Sequence, residues 1–479
     1  MQLMLYLAEK KEALMLNDLQ LEDIVKKVIN DIKTEKNLNV KNICGRGIFP
    51  GIGTAIDRAY EAQQIYNSCT LEKRREIISL IRKELLKYIE EMAEKTVIET
   101  KMGRIKDKIQ KNILAVEKTP GVEDLATEVF TGDNGLTLVE LSAFGVLGSV
   151  TPVTNPTETI INNTIGALAG GNSIVFCPHP SAKNICIWLI KKLNEIITEA
   201  GGPENLVTSA AEAGKENVDI LFSHERIDLL LITGGTEIVK KALKSGKKVI
   251  GAGAGNPPVI VDETADIEKA AKDIVSGAGF DNNLPCIAEK EVFVLESVAD
   301  YLIFNMQKAG AFHITDREDI KKLELTICKD GIVNKELIGK DAGFILEKSG
   351  IKCDFTPVLL TLETDVNHVF VRKELMMPVL AVVRQKNFEE ALKNAIHAEH
   401  GLKHTAIMHS QNVTRLSTAA REMQTTIFVK NAPSYAALGF QGEGYTTFTI
   451  AGPTGEGLTS ARNFTRKRRC ILGGSFSIR

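Results

Sequence analysis

The chain has 479 residues, with 59 Lys and Arg against 61 Asp and Glu, 44% apolar and 25% charged residues, 38 Gly and 14 Pro. That length predicts two or three domains with sizeable cores, and the composition excludes a largely disordered chain. A formal net charge of -2 leaves no global field for a polyanion, so no nucleic-acid partner is expected.

The apolar opening, residues 3–7, has no preceding Lys or Arg and no small-residue cleavage site. It is far shorter than the ~20 residues of a membrane span. Eight cysteines are scattered without a CxxC pair, which argues against a disulfide framework or structural zinc and for a reducing, cytoplasmic setting. Residues 18–32 place Leu21, Ile24, Val25, Val28, Ile29 and Ile32 on one face of a short amphipathic helix. A polar, Asn- and Lys-rich stretch follows and reads as a linker. Residues 55–102 carry the helical period with many Lys and Glu, predicting two or three surface helices. The runs 128–130 and 136–141 flank Gly132-Asp133-Asn134-Gly135, a hairpin signal.

Short apolar runs then alternate with helical segments at 145–151, 173–177, 229–233, 248–250 and 259–261. A second series lies at 291–295, 343–346, 358–361, 379–383, 406–409 and 427–429. Such alternation predicts an α/β protein with parallel, doubly wound sheets. The last run, 473–479, is expected to join the hairpin of a neighbouring subunit, and the basic residues Arg462, Arg466, Lys467, Arg468 and Arg469 to form a solvated or subunit-facing segment.

Just before the strand at 291–295 comes Phe280-Asp281-Asn282-Asn283-Leu284-Pro285-Cys286-Ile287-Ala288. A cysteine there can offer its sulfur to a cleft, although a single cysteine is more often a small buried hydrophobe. The segment resembles the catalytic-cysteine segment of aldehyde dehydrogenases. It is most similar to their CoA-acylating branch, which includes the propionaldehyde and acetaldehyde dehydrogenases of bacterial microcompartments. The likeness runs from about Gly47 to Arg479, through residues 119–125, 145–152, 154–159, 251–258 and 452–457. It implies the aldehyde dehydrogenase fold: a targeting helix and linker at 1–40, a nicotinamide-binding domain at 41–262 with an oligomerisation hairpin at about 126–142, a catalytic domain at 263–435, and a segment at 436–479 that returns to the cofactor domain and oligomer interface.

The resemblance also implies a thiolate that attacks an aldehyde, a thioester on Cys286, NAD as hydride acceptor and coenzyme A as co-substrate. The oxyanion donors would be the Cys286 backbone N–H and a side chain near Pro152. Ungapped counting puts Thr154 where the hydrolytic branch has its Asn; Asn155, one place later, is taken as the donor. At Gly251 or Ala252 the hydrolytic branch carries a Glu that activates water. Neither residue here has a carboxylate. Water, with a pKa of ~15.7, needs such a base, whereas a thiol of pKa about 8.5 does not, so thiolysis is favoured.

Thr151, Pro152, Thr233, Gly234, Gly235, Gly253, Pro178 and His179 are the expected cofactor contacts. Glu374 would bond the nicotinamide ribose. Cys177 and Pro180 replace a Lys and a Glu that the hydrolytic branch uses at the adenosine ribose. His397, His400, His404 and His409 cluster, but Gly401 interrupts any helix and no metal is expected. The N-terminal helix resembles encapsulation peptides that dock on microcompartment shell proteins, which implies a location inside such a compartment; a homo-oligomer is also expected. The rivals are a hydrolytic aldehyde dehydrogenase and a non-catalytic shell-associated scaffold.

Overall fold

The structure, a computed structural model, describes residues 43–474 together with 476 and 478. The amphipathic stretch at 18–32 lies outside the described residues. Helices Ile52–Tyr66, Leu71–Leu85 and Ile89–Thr100 occupy the predicted helical region, and Ile105–Lys118 follows. Leu71–Leu85 starts on the Thr70 side chain, which accepts from the Lys73 N–H, and buries the stripe Ile77, Ile78, Ile81 and Leu85; capping and a one-sided apolar face together account for it.

Two parallel sheets dominate. The first orders its strands as Ile48–Phe49, Val207–Ala210, Ser173–Cys177, Val146–Val150, Ile227–Thr233 and Lys248–Ala252. The second runs Ala311–Ile314, Leu359–Glu363, Val379–Gln385, Glu291–Leu295, Pro258–Val261, Thr405–His409 and Ile427–Lys430. The chain passes from one to the other between Ala252 and Pro258, so the predicted run at 259–261 belongs to the second sheet. Strands such as Ser173–Cys177 and Glu291–Leu295 are buried throughout, as expected where helices cover both faces. The helix Pro156–Ala169 is buried along its whole length, Glu158, Asn162 and Asn163 included.

The hairpin forms as Glu128–Gly132 and Gly135–Ala143, closed by Asp133 and Asn134. Gly135 has φ +118°, and a Cβ there would lie 2.1 Å from the Leu472 carbonyl, so only glycine fits. That carbonyl belongs to Thr465–Gly473, which pairs antiparallel with Gly135–Ala143 of the same chain. This strand meets the predicted run at 473–479 only at Gly473; residues 475, 477 and 479 of that run lie outside the described residues. Its Arg and Lys residues obscure it in the sequence, because an exposed strand tolerates charge. The run at 343–346 is likewise not a strand but part of helix Ala342–Ser349, stopped by Gly350 at φ +67°; a four-residue apolar run does not distinguish the two, and the glycine stop decides it. The edge strand Ala311–Ile314 is additional to the predicted series.

Asn172 joins the three-stranded sheet to the first parallel sheet. Its Oδ1 accepts from the Phe144 and Gly145 N–H groups at 2.8 and 3.0 Å, and its Nδ2 donates to the Ala167 and Phe464 carbonyls at 3.3 and 2.9 Å. Asn172→Ala leaves the Phe144 and Gly145 N–H groups and the Phe464 carbonyl without this partner and is expected to cost about 2–4 kcal/mol, measured as a lowered denaturation midpoint; an unchanged midpoint would mean that water replaces these bonds.

Candidate active site

Four neighbouring strands of the second sheet run parallel, in the order Val379–Gln385, Glu291–Leu295, Pro258–Val261, Thr405–His409. Their amino ends converge, and the residues just ahead of them are Glu374, Cys286, Gly255 and His404. The Glu374 carboxylate accepts from the Gly255 N–H. A Cβ on Gly255 would sit 2.5 Å from the Cys286 carbonyl and 3.0 Å from the His404 ring, so this glycine is the hinge on which both meet. Asn256 locks the crossover, donating to the Val371 and Ala398 carbonyls at 3.0 and 2.9 Å.

The approach to Cys286 is strained. Asp281, Asn282 and Asn283 take φ of 47°, 55° and 63° in succession, a left-handed run that costs L-residues roughly 1–2 kcal/mol each. Every side chain in the run is tied down. Asp281 Oδ1 accepts from the Arg104 N–H at 2.9 Å, and the Asp281 N–H donates to Asp107 at 3.0 Å. Asn282 donates to the Gly339 carbonyl at 2.9 Å, and Asn283 to those of Ala278 and Glu289, both at 2.9 Å. Lys290, buried four residues beyond the cysteine, donates to the Asn283 Oδ1 at 2.7 Å and to its carbonyl at 3.0 Å.

On the other side lies a buried charge cluster. Lys111 Nζ reaches Asp281 at 2.5 Å, Glu158 at 3.2 Å and the Asn155 Oδ1 at 2.6 Å. Lys108 reaches Asp281 at 2.9 Å and the Thr154 carbonyl. Burial opposes the charge on Lys111, but Asp281 and Glu158 outweigh it and hold its pKa above the ordinary lysine range. Asp281 is held below the carboxylate range against its own burial by Lys108 and Lys111. Asn155 opens the helix Pro156–Ala169, which brings it to this cluster; Thr154 meets Lys108 through its carbonyl.

Cys286 is half-buried. Burial pushes its thiol up to about 12, Glu374 adds to the rise, and Lys290 and Lys111 oppose it. His404 is pressed down to about 4 by burial and then by Lys290. The ring is therefore neutral near pH 7. Its Nδ1 faces the Thr405 hydroxyl at 2.8 Å, and its Nε2 has no partner. His397 and His400 turn instead to Arg372, and His409 lies 3.9 Å from Asp273.

The expected cofactor contacts gather at the carboxyl ends of the first sheet. Thr151 and Pro152 follow Val146–Val150, Pro178 and His179 follow Ser173–Cys177, Thr233 ends Ile227–Thr233, and Gly253 follows Lys248–Ala252. The chain winds outward in opposite directions from Val146–Val150 and Ile227–Thr233, making a topological switch point, where open α/β sheets bind nucleotides. Gly234 and Gly235 lead from that point into helix Thr236–Leu243, and Thr233 Oγ1 lies 3.2 Å from Thr449 Oγ1. Gly253 has only Pro453 beside the place of a Cβ, at 3.3 Å.

Sequence reasoning missed Lys108, Lys111, Asp281, Lys290 and His404. Two lysines three apart on a helix look like a solvated face; in His404 the available signal was its position immediately ahead of a buried strand.

Because Glu374 raises the Cys286 pKa, Glu374→Gln is expected to lower it and so increase the thiolate fraction at a given pH. Iodoacetamide alkylation of Cys286 in the free protein at pH 8 should accelerate severalfold, and the wild-type rate should climb through pH 9 without a plateau. A plateau below pH 8 in the wild type would place the thiol in a different environment.

The model of the aldehyde dehydrogenase family matches residues 50–319. The propanal dehydrogenase (CoA-propanoylating) of Salmonella typhimurium is 50% identical over 97% of this chain and 100% of its own length. The crystal structure of Rhodopseudomonas palustris propionaldehyde dehydrogenase, with bound CoA and an acylated cysteine, shares 49% identity at a TM-score of 0.90, covering 91% of this chain and 100% of that one. A propionaldehyde dehydrogenase from the Clostridium phytofermentans fucose utilisation bacterial microcompartment shares 47% identity at 0.89, with coverage of 91% and 100%. This chain belongs to the aldehyde dehydrogenase family, among its CoA-acylating members.

Proposed function

We propose that this protein oxidises a short, propionaldehyde-like aldehyde to its acyl-CoA with NAD, reversibly, through a thioester on Cys286. The observation that carries the reading is the half-buried Cys286 gathered with Glu374, Gly255 and His404, with no carboxylate at Gly251 or Ala252. The Cys286 sulfur bonds to the carbonyl carbon, and the carbonyl π pair moves to oxygen. The Asn155 amide and the Cys286 N–H receive that charge. Bound nicotinamide supplies the acceptor for the hydride whose loss restores the carbonyl as a thioester. Thr151, Pro152, Pro178, His179, Thr233, Gly234, Gly235 and Gly253 would hold it, and Glu374 would bond its ribose. The thiolate of coenzyme A then bonds to the acyl carbon, and the Cys286 sulfur leaves with its electron pair. His404, neutral and with a free Nε2, is the nearby group able to take a proton.

With purified protein, propionaldehyde and NAD, sustained NADH formation is expected to require CoA and to vanish in Cys286→Ala. Steady turnover without CoA would favour hydrolysis, and inactivity with propionaldehyde and acetaldehyde, using NAD or NADP, would favour a scaffold.

The same reading places the enzyme inside a bacterial microcompartment, held to a shell protein by residues 1–40, and in a homo-oligomer built on the three-stranded sheet. That sheet leaves Phe130 and Ile471 exposed on one face, in register across Thr137, an apolar pair that suits an interface. Deleting residues 1–40 is expected to preserve specific activity while abolishing co-purification with shells; retained shell association would overturn the assignment.

A further inference from the structure

We propose that Lys111 is a positioning residue for the oxyanion donor. Its buried ammonium holds the Asn155 carboxamide with the NH2 turned toward the aldehyde oxygen, and ties that group to the turn carrying Cys286. The inference rests on the reading of Asn155 as the donor.

A carboxamide has two nearly isosteric orientations, one presenting NH2 and the other a carbonyl oxygen. Only the first stabilises an oxyanion. An ammonium can only donate, so the Lys111 contact at 2.6 Å selects Oδ1 on its own side and leaves Nδ2 on the other. There Nδ2 meets only the Thr154 hydroxyl, at 3.3 Å, a distance at which the donor is still available. Lys111 is itself held in place: besides the bond to Asn155, its ammonium lies 2.5 Å from the Asp281 carboxylate and 3.2 Å from that of Glu158.

A second observation comes from the helix start. Asn155 occupies the N-cap of Pro156–Ala169 yet makes no side-chain cap bond. An Asn at that position ordinarily turns its oxygen onto the helix N–H groups. Here the oxygen faces Lys111 instead. A purely structural cluster does not require this, since Lys108 alone also pairs with Asp281, and buried ion pairs are often replaceable by apolar residues without loss of stability. Through Asp281 the same ammonium reaches the left-handed run Asp281–Asn283, three residues short of the nucleophile, and its charge acts on the Cys286 thiol as well.

The test is a double-mutant cycle read by the NADH burst with propionaldehyde and NAD in the absence of CoA, which isolates acylation. Removing Lys111 alone would strand buried carboxylates, so Lys111→Met is combined with Glu158→Gln and compared with Glu158→Gln alone. Asn155→Ala is expected to slow the burst about 10²–10³-fold. Lys111→Met should slow it about 10- to 100-fold, with half-saturation by aldehyde and NAD within about threefold. In the Asn155→Ala background the lysine change should add less than about threefold, because its effect passes through Asn155. A normal burst in the Lys111 variant, or a lysine effect of equal size in both backgrounds, would overturn the inference while leaving the donor in place. A normal burst in Asn155→Ala would overturn the donor reading and this inference with it. Should the paired substitution fail to fold, Lys111→Gln, which keeps a donor to Asp281 but frees the Asn155 orientation, enters the same cycle with the same expectation.

Discussion

The left-handed run Asp281–Asn282–Asn283 is the constraint around which the site is arranged. Three such residues in sequence are costly, and a backbone of this kind persists only where its surroundings over-determine it. Here they do so from three directions. Lys108 and Lys111 hold Asp281 from the helix Ile105–Lys118, Lys290 holds Asn283 from beyond the cysteine, and the Asn282 and Asn283 amides bond to three separate carbonyls. Asn and Asp are the non-glycine residues that enter this region most readily, and their side chains supply the bonds that keep it there. A run of glycines would adopt the same angles but could offer none of those bonds. The result is a cysteine delivered at the amino end of its strand, level with Glu374, Gly255 and His404.

That delivery requires charges where the protein is otherwise apolar. Each lysine in the cluster is matched by a carboxylate or by carbonyl oxygens, so no cation is left bare. The arrangement also explains an apparent contradiction in the electrostatics. Burial and Glu374 disfavour the Cys286 thiolate, while Lys290 and Lys111 favour it. A thiol kept protonated in the free protein resists oxidation and stray alkylation, and any change that removes the Glu374 charge or places a cation near the sulfur shifts the balance toward the reactive form.

Much of this architecture was legible in the sequence for identifiable reasons. Fully buried strands read as continuous apolar runs, so Ser173–Cys177 and Glu291–Leu295 coincide with the predicted bounds. The Asn-Gly turn located the hairpin. Short runs failed where length could not choose between states, as with helix Ala342–Ser349, and where charge masked an exposed strand, as with Thr465–Gly473. For the site, Cys286 and Glu374 stand in segments whose order of residue types identifies them, and the structure brings them together. Lys108, Lys111 and Lys290 were invisible because a sequence records that a residue is charged but not that its partner, which for Lys108 and Lys111 is Asp281 in a distant segment, will be buried with it.

The choice between thiolysis and hydrolysis is written in volume as well as in chemistry. A Cβ on Gly251 would stand 2.8 Å from a methyl of Val239, which is itself buried on helix Thr236–Leu243. A Glu placed at Gly251 would therefore meet Val239 at its first side-chain carbon, and overpacking of this kind distorts the backbone. Gly251 also donates its N–H to the Thr454 hydroxyl at 3.0 Å, so a shift there would be felt in the segment whose Pro453 lies against Gly253 at the cofactor mouth. The glycine at 251 is thus one half of a packed pair with Val239, and a thiol nucleophile, unlike water, needs no carboxylate base there.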